Sequence, residues 1–102
     1  MLWEKAGEDF ENRNYQSSLE WYNYSLSLYE VQLEDKNLAK LHRNRANCYI
    51  NLQMNNKAGE VLIEAEKYDP GSVHTQFTLY KLALTETDVE KARTSLHKMC
   101  EL

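Results

Sequence analysis

The side chains in this sequence that could bind a metal ion or act as nucleophiles are three histidines and two cysteines. His42, His74 and His97 fall in three different predicted helices, while Cys48 and Cys100 are far apart on apolar helix faces. A zinc site needs several ligands at short, fixed spacings, which this pattern does not offer. Two scattered cysteines also make no disulfide framework and are typical of a reducing compartment. We therefore predict no metal site.

A second group that could do chemistry is a set of close carboxylates, Glu8, Asp9 and Glu11. They lie on a predicted helix that needs a polar face, so solvation explains them better than acid–base catalysis does. The sequence contains neither a glycine-rich phosphate loop nor a nucleophile motif. We therefore predict a protein without catalytic residues or a cofactor, which is not an enzyme.

Composition and charge argue against two classes of partner. The 102 residues carry a formal net charge of −4, and the seven tyrosines and two tryptophans recur at helical spacing. Nucleic-acid-binding proteins are usually basic, so these aromatic residues are expected in the core rather than stacked on bases. No apolar run approaches the ~20 residues that span a bilayer, and no signal peptide is visible. We expect no direct contact with nucleic acid or with a membrane.

Charge is also distributed unevenly along the chain. Residues 35–68 contain six basic and four acidic side chains, whereas residues 1–34 contain two basic and seven acidic ones. Residues 69–102 contain four basic and five acidic side chains. Only the middle third has a positive net charge, which makes it the candidate for contact with an acidic partner.

A helical framework must position these residues, because the sequence repeats itself at helical spacing. Small and apolar residues of the segment 46–70 recur at one fixed offset upstream, from Ala46 back to Ala6, and at a shorter one downstream, from Ala58 to Ala92. The recurring sets are Ala6, Phe10, Ser18, Tyr22 and Ser25; Ala46, Ile50, Ala58, Leu62 and Ala65; and Leu84, Ala92, Leu96 and Met99. Each set is typical of two antiparallel helices, since helices approach closely only where one presents a small residue.

The periodicity of the apolar residues predicts six helices. They are placed at 2–13, 16–33, 36–52 and 56–68, with a fifth capped by Ser72 and a sixth opened by Thr87 or Asp88. The longer upstream offset is assigned to residues 31–36, as an extended second helix and a longer turn. No segment alternates as a strand does. The sequence thus predicts an all-α fold in which Ala46, Ala58 and Ala92 are buried where helices cross.

This layout resembles the tetratricopeptide repeat (TPR), a helix–turn–helix unit with a period of about 34 residues, which is the downstream offset. In the middle unit the matching residues are the small Ala46, the aromatic Tyr49, the small Ala58 and the closing Pro70. The resemblance implies a TPR-like α-solenoid of six antiparallel helices in three repeats. The expected bounds of the repeats are 1–34, 35–70 and 71–102.

The ends of this array are expected to be unfinished. Trp3 enters the first helix without a capping residue, and the chain stops just after Met99 in the sixth. Repeat arrays need polar terminal repeats to stay soluble. We therefore expect an excerpt of a longer solenoid, which can self-associate through its uncapped ends.

A narrower resemblance is carried by the stretches KAGEDFENRNYQSSLEWYNYSLSLY, KLHRNRANCYINLQMNNKAGEVLIEAEKYDP and VHTQFTLYKLAL. They are similar to consecutive parts of the sporulation-protein-22-like meiotic TPR family. Asn55 and Tyr80 depart from the generic TPR pattern and fit this family. The resemblance implies a nuclear scaffold on meiotic chromosomes that promotes crossover formation and synapsis by binding protein partners.

In TPR arrays the first helix of each pair lines a concave surface that meets partner peptides. Lys40, Arg43 and Asn47 share one stripe of the third predicted helix, and the register places Phe77 and Lys81 on the same side. We predict that these five residues form a partner-binding strip for an acidic peptide, with Phe77 as its apolar anchor. The alternative is that the stripe is a solvated helix face.

A second functional hypothesis is a generic TPR adaptor or co-chaperone module that binds a peptide in its concave groove. A clamp for a terminal carboxylate needs basic and asparagine residues at set positions, where this chain has Trp3, Gly7, Asn47, Phe77 and Lys81. Most of that clamp is missing. Apart from the meiotic resemblance, we expect a soluble protein of the cytoplasm or nucleus.

Overall fold

A computed structural model of the chain describes residues 2–29 and 33–100. Within these two ranges the backbone forms six α-helices and no strand, so the predicted all-α fold is confirmed. The helices are α1 Leu2–Glu11, α2 Tyr15–Tyr29, α3 Asp35–Asn51, α4 Asn55–Tyr68, α5 Val73–Thr85 and α6 Val89–Cys100. None of the helices described is both long and apolar enough to cross a membrane.

The largest difference from the predicted helix bounds lies between α2 and α3. Leu33 and Glu34 are outside any helix, so the predicted extension of the second helix to residue 33 is wrong. Residues 31 and 32 of the long connection expected at 31–36 lie outside the described ranges. α3 begins directly afterwards at Asp35.

The two helices of each pair are joined by the same kind of turn. Arg13, Gln53 and Thr87 have positive φ angles of 63°, 61° and 56°. In each turn this residue donates its N–H to the carbonyl three residues back, and the next residue donates to the carbonyl five residues back. These bonds satisfy the last carbonyls of the preceding helix in a Schellman motif. The three turn residues are separated by the same two offsets at which the side-chain pattern repeats.

The side chains predicted to cap the fifth and sixth helices behave differently in the structure. Ser72 occupies the N-cap of α5, but its side chain makes no capping hydrogen bond. Asp88 precedes α6, and its Oδ1 accepts a hydrogen bond from the Lys91 N–H at 3.1 Å. Asp88 rather than Thr87 therefore caps α6, because its carboxylate satisfies one of the N–H groups that a helix leaves unpaired at its start.

The core lies where the helices of a pair cross and where one pair stacks on the next. α1 packs on α2, α3 on α4 and α5 on α6, while α3 also contacts α2, and α5 also contacts α3 and α4. Ala46 and Ala58 are fully buried and Ala92 is 5% exposed, which confirms the predicted burial of these three residues. Leu41 and Leu62 are fully buried in the same apolar cluster as Ala46 and Ala58. The small residues therefore set how closely the helices approach.

The first and last helix pairs both expose apolar side chains. The exposed residues of α1 include the charged Glu4 and Glu8, and Trp3 is half-buried against the apolar core. On α2 of the same pair Tyr24 is 54% exposed and Leu28 is 48% exposed. On the last pair Leu84 is 52% exposed and Leu96 is 48% exposed. Exposed apolar side chains are thus found on α2 as well as on α5 and α6, whereas the exposed residues of α1 include charged ones.

Candidate protein-binding surfaces

The five residues of the predicted strip lie on α3 and α5, which are in contact. The Lys81 Nζ donates a hydrogen bond to the Asn47 Oδ1 at 2.9 Å and lies 5.4 Å from the centre of the Phe77 ring. That distance is within the range of a cation–π interaction. The structure thus brings Asn47, Phe77 and Lys81 together across the two helices.

Arg43 reaches α5 through a residue that the sequence did not suggest. Its Nη1 donates a hydrogen bond of 3.4 Å to the Oγ1 of Thr75, which is fully buried. Burial lowers the pKa of Arg43, and the nearby Asp69 carboxylate partly opposes this shift. Burial also lowers the pKa of Lys81. Both cations are therefore partly desolvated and held against α5, rather than extended into water.

Lys40 and Phe77 are the outward-facing members of the strip. Lys40 is exposed, and the described residues include no hydrogen-bond or ion-pair partner for it. Phe77 is 52% exposed although Lys81 lies over its ring. We call Lys40, Arg43, Asn47, Phe77 and Lys81 together the α3–α5 strip. It offers one exposed cation, two cations fixed by internal contacts and one accessible aromatic ring.

A small cavity of about 210 Å³ adjoins the strip at Asn47. Gly7, one of the positions compared above with a carboxylate clamp, lines the cavity together with Asn47 and the carboxylate-bearing Glu11. An acidic ligand would be repelled by Glu11 at this end. The strip is therefore best approached by such a ligand from the Lys40 side.

A second surface, which was not predicted, lies on another face of α5. Two adjoining cavities of about 520 and 310 Å³ form a groove between α4 and α6, with residues of α5 along its floor. Ile63 and Leu79 line both cavities, and Ile63 is 61% exposed. We call this the α4–α6 groove. It is an apolar channel that side chains of the described residues leave open.

The corresponding space between α2 and α4 is bridged by side chains of α3. The Arg45 Nε donates a hydrogen bond to the Asn23 Oδ1 of α2 at 2.7 Å, and its Nη1 lies 3.0 Å from the His42 Nδ1. The His42 ring stacks on Tyr68 of α4 with 5.7 Å between ring centres. Because a guanidinium can only donate, His42 accepts through its Nδ1. Asn23, Arg45, His42 and Tyr68 therefore form a continuous bridge from α2 to α4.

The residues considered for metal or redox chemistry do not assemble a reactive centre. No group of three His, Cys, Asp or Glu side chains within the described ranges could hold a metal ion. Cys48 is fully buried, and its Sγ donates a hydrogen bond of 3.5 Å to the Ser18 Oγ. Burial raises the pKa of the Cys48 thiol, against a smaller opposite effect of that bond. The buried cysteine is thus kept in its unreactive thiol form.

One residue could have pointed to the α4–α6 groove in the sequence. Ile63 is apolar but does not share the buried stripe of Ala58, Leu62 and Ala65. A single exposed apolar residue is common on protein surfaces, so this signal alone is weak. It becomes informative only once α5 places Leu79 beside it.

No model of a known protein family matches this chain.

Proposed function

We propose that this chain is a non-enzymatic protein-interaction scaffold that binds an acidic segment of a partner protein along the α3–α5 strip. The observation that carries the proposal is the fixed pair of cations, with Lys81 held by Asn47 and Phe77 and Arg43 held by Thr75. Side chains that are already held in place lose less conformational freedom when a ligand binds. The strip can therefore present its charges at a low entropic cost.

The strip offers three kinds of contact to a partner in this proposal. Lys40 and Arg43 donate charge-assisted hydrogen bonds to carboxylates of the partner. Asn47 uses its Oδ1 for Lys81, which leaves its amide N–H groups to bind a carbonyl of the partner backbone. Phe77 supplies the apolar contact, and buried aromatic anchors usually carry much of the affinity of an interface.

The biological setting is proposed from the sequence resemblance. Three helix pairs, whose matching turns recur at the offsets of the side-chain pattern, support an arrangement of the TPR kind. Within TPR proteins, the chain resembles the sporulation-protein-22-like meiotic family. We propose on that basis that its partners act in meiotic crossover formation and synapsis, and that it works in the nucleus on meiotic chromosomes.

The proposal is tested with the double variant Lys40→Glu, Arg43→Glu and a fluorescent peptide of about ten residues, rich in Asp and Glu around one aromatic residue. Replacing attraction by repulsion should weaken binding by at least about 2 kcal/mol. Wild-type binding should also weaken as salt rises toward about 0.5 M, because the Debye length is then only about 4 Å. The matched control is Lys57→Glu, since Lys57 is an exposed lysine of α4 outside the strip.

Unfolding in urea must accompany this test because Arg43 is half-buried and bonded to Thr75. A folded double variant that binds the peptide as tightly as the wild type would assign the strip to solvation alone. Pull-down from meiotic cell extracts with wild-type and variant chains tests the biological setting separately. Partners of the crossover or synapsis machinery should be captured by the wild type and lost from the variant.

A further inference from the structure

The α4–α6 groove is open because of what occupies two equivalent positions on α3 and α5. At the offset that relates Ala58 to Ala92, His42 and Arg45 of α3 correspond to Gln76 and Leu79 of α5. On α3 the long guanidinium of Arg45 reaches α2 and the His42 ring reaches α4. Leu79 is too short and too apolar to make an equivalent bridge, and it is left lining the groove. A ligand would thus take the place that Arg45 fills in the neighbouring pair.

The side-chain amide of Gln76 gives a second indication that the groove binds a partner. Its side chain is 2% exposed and lines the groove, and its Nε2 donates a hydrogen bond of 3.2 Å to the Glu66 Oε2. Its Oε1 is buried without any hydrogen-bond partner in the described part of the chain. A buried amide oxygen without a donor is unfavourable. A hydrogen-bond donor from a bound segment would remove that penalty.

The charges along the groove identify the kind of segment that fits. Glu60, Glu86 and Glu90 line the end formed by the starts of α4 and α6, and none of them has an ion-pair partner among the described residues. Lys91 lies at the same end but is 3.9 Å from the Asp88 carboxylate. This end is therefore acidic and calls for basic side chains in the ligand.

The opposite end of the groove is closer to neutral. Lys67 and Lys98 line it together with Glu66. Lys67 is paired with Glu64 at 3.1 Å, and Glu66 accepts hydrogen bonds from Gly71 and Gln76. The charge contrast between the two ends gives a bound segment a preferred direction.

We propose that the α4–α6 groove binds an amphipathic helix of a partner protein, with its apolar stripe on Ile63 and Leu79 and with Lys or Arg in its last turn against Glu60, Glu86 and Glu90. Basic residues are favoured in the last turn of a helix by its own dipole. Such a helix lies antiparallel to α4 and α6, so its negative end meets their positive ends. The stretch of α4 that lines the groove, Asn55–Lys67, spans about 18 Å, which matches a helix of about 12 residues.

This surface is separate from the α3–α5 strip and differs from it in the ligand it selects. The strip takes an acidic segment, whereas the groove takes an apolar helix with a basic end. The inference therefore does not depend on the proposed function. The variant Lys40→Glu, Arg43→Glu should leave binding in the groove unchanged, which keeps the two proposals distinguishable.

The test uses the full chain and a fluorescent helical peptide of about 14 residues, with leucines at i, i+4 and i+7 and arginines in its last turn. A matched peptide carries glutamates in place of the arginines. The arginine peptide should bind the wild type, and Ile63→Glu should weaken this binding at least about tenfold. The control is Leu84→Glu, since Leu84 is a comparably exposed leucine that does not line the groove. Circular dichroism should show that both variants keep the wild-type helix content.

A charge exchange makes the test specific. The double variant Glu60→Lys, Glu90→Lys should lose at least about tenfold in affinity for the arginine peptide and gain affinity for the glutamate peptide. The proposal is overturned if Ile63→Glu binds the arginine peptide normally, or if both peptides bind the wild type equally. It is also overturned if sedimentation without peptide shows a dimer that Ile63→Glu abolishes, because the groove is then occupied by a second copy.

Discussion

Two faces of α5 differ in how completely the rest of the chain provides partners for their side chains. Toward α3, Lys81 binds Asn47 and Thr75 accepts from Arg43, so the polar groups already have partners. Toward α4 and α6, Leu79 lines an open groove and the Gln76 Oε1 has no partner within the described ranges. One helix thus carries a polar face that is organised in advance and an apolar face that is incomplete.

The difference predicts different contributions to binding. A ligand on the α3–α5 strip gains charge-assisted hydrogen bonds from cations that are already held in place, so its selectivity comes mainly from charge. A ligand in the α4–α6 groove removes apolar surface from water at about 25 cal/mol per Å². The strip is therefore expected to select a partner, and the groove to add affinity for a second segment.

The largest expected effect separates the buried core from the exposed wall of the groove on α4. Leu62 is fully buried, whereas its neighbour Ile63 is 61% exposed. Leu62→Ala should cost about 2–5 kcal/mol of unfolding free energy, because it removes buried carbon and leaves a cavity. Ile63→Ala should change it by less than about 0.5 kcal/mol. Urea unfolding measures both, and equal shifts would mean that Ile63 is part of the core.

A smaller loss of stability is expected when the bridge between α2 and α4 is removed, so that this space resembles the α4–α6 groove. Arg45→Leu places leucine where α5 has Leu79, and removes the donor to Asn23 and His42. The stability should fall by about 1–2 kcal/mol, since hydrogen bonds from a charged group are lost. Arg93→Leu is the matched control, because Arg93 is exposed and has no hydrogen bond or ion pair among the described residues. Arg45→Leu with unchanged stability would show that the bridge does not hold α2 and α4 together.

The smallest effect concerns the contact between α3 and α5. Asn47→Ala leaves the partly desolvated Lys81 ammonium without its side-chain partner and should cost about 1 kcal/mol. A double-mutant cycle with Lys81→Met isolates the energy of the pair, because the two residues are in direct contact. Asn56→Ala, at an exposed position on α4, is the control. A coupling energy of zero would mean that the strip is not organised in advance.

The features that could be predicted from the sequence are those set by short spacings. Helix positions and the buried Ala46, Ala58 and Ala92 follow from apolar residues that recur at i, i+3 and i+4. The two offsets of the side-chain pattern also coincide with the turns at Arg13, Gln53 and Thr87. The repeated side-chain pattern therefore marks where the turns lie but not their positive φ angles, because Arg, Gln and Thr do not favour that backbone conformation.

The features that could not be predicted depend on side chains from distant helices. The contacts of Arg43 with Thr75 and of Asn47 with Lys81 join residues far apart in the chain, and they depend on the rotamers adopted at the helix interface. The sequence therefore predicted which residues share the strip, but not the hydrogen bonds that hold their side chains in place. The groove was missed because it results from a residue too short to bridge it, Leu79, at the position of Arg45. A pattern of apolar residues does not reveal unfilled space.

The most direct test of two separate binding faces is nuclear magnetic resonance of the ¹⁵N-labelled chain with both peptides. The acidic peptide should shift the amide signals of Lys40, Arg43 and Lys81, and the arginine-ended helix should shift those of Ile63, Leu79 and Glu90. Adding both peptides should produce both sets of shifts at once, because the two faces do not overlap. Shifts of the same residues by both peptides, or displacement of one peptide by the other, would contradict the account.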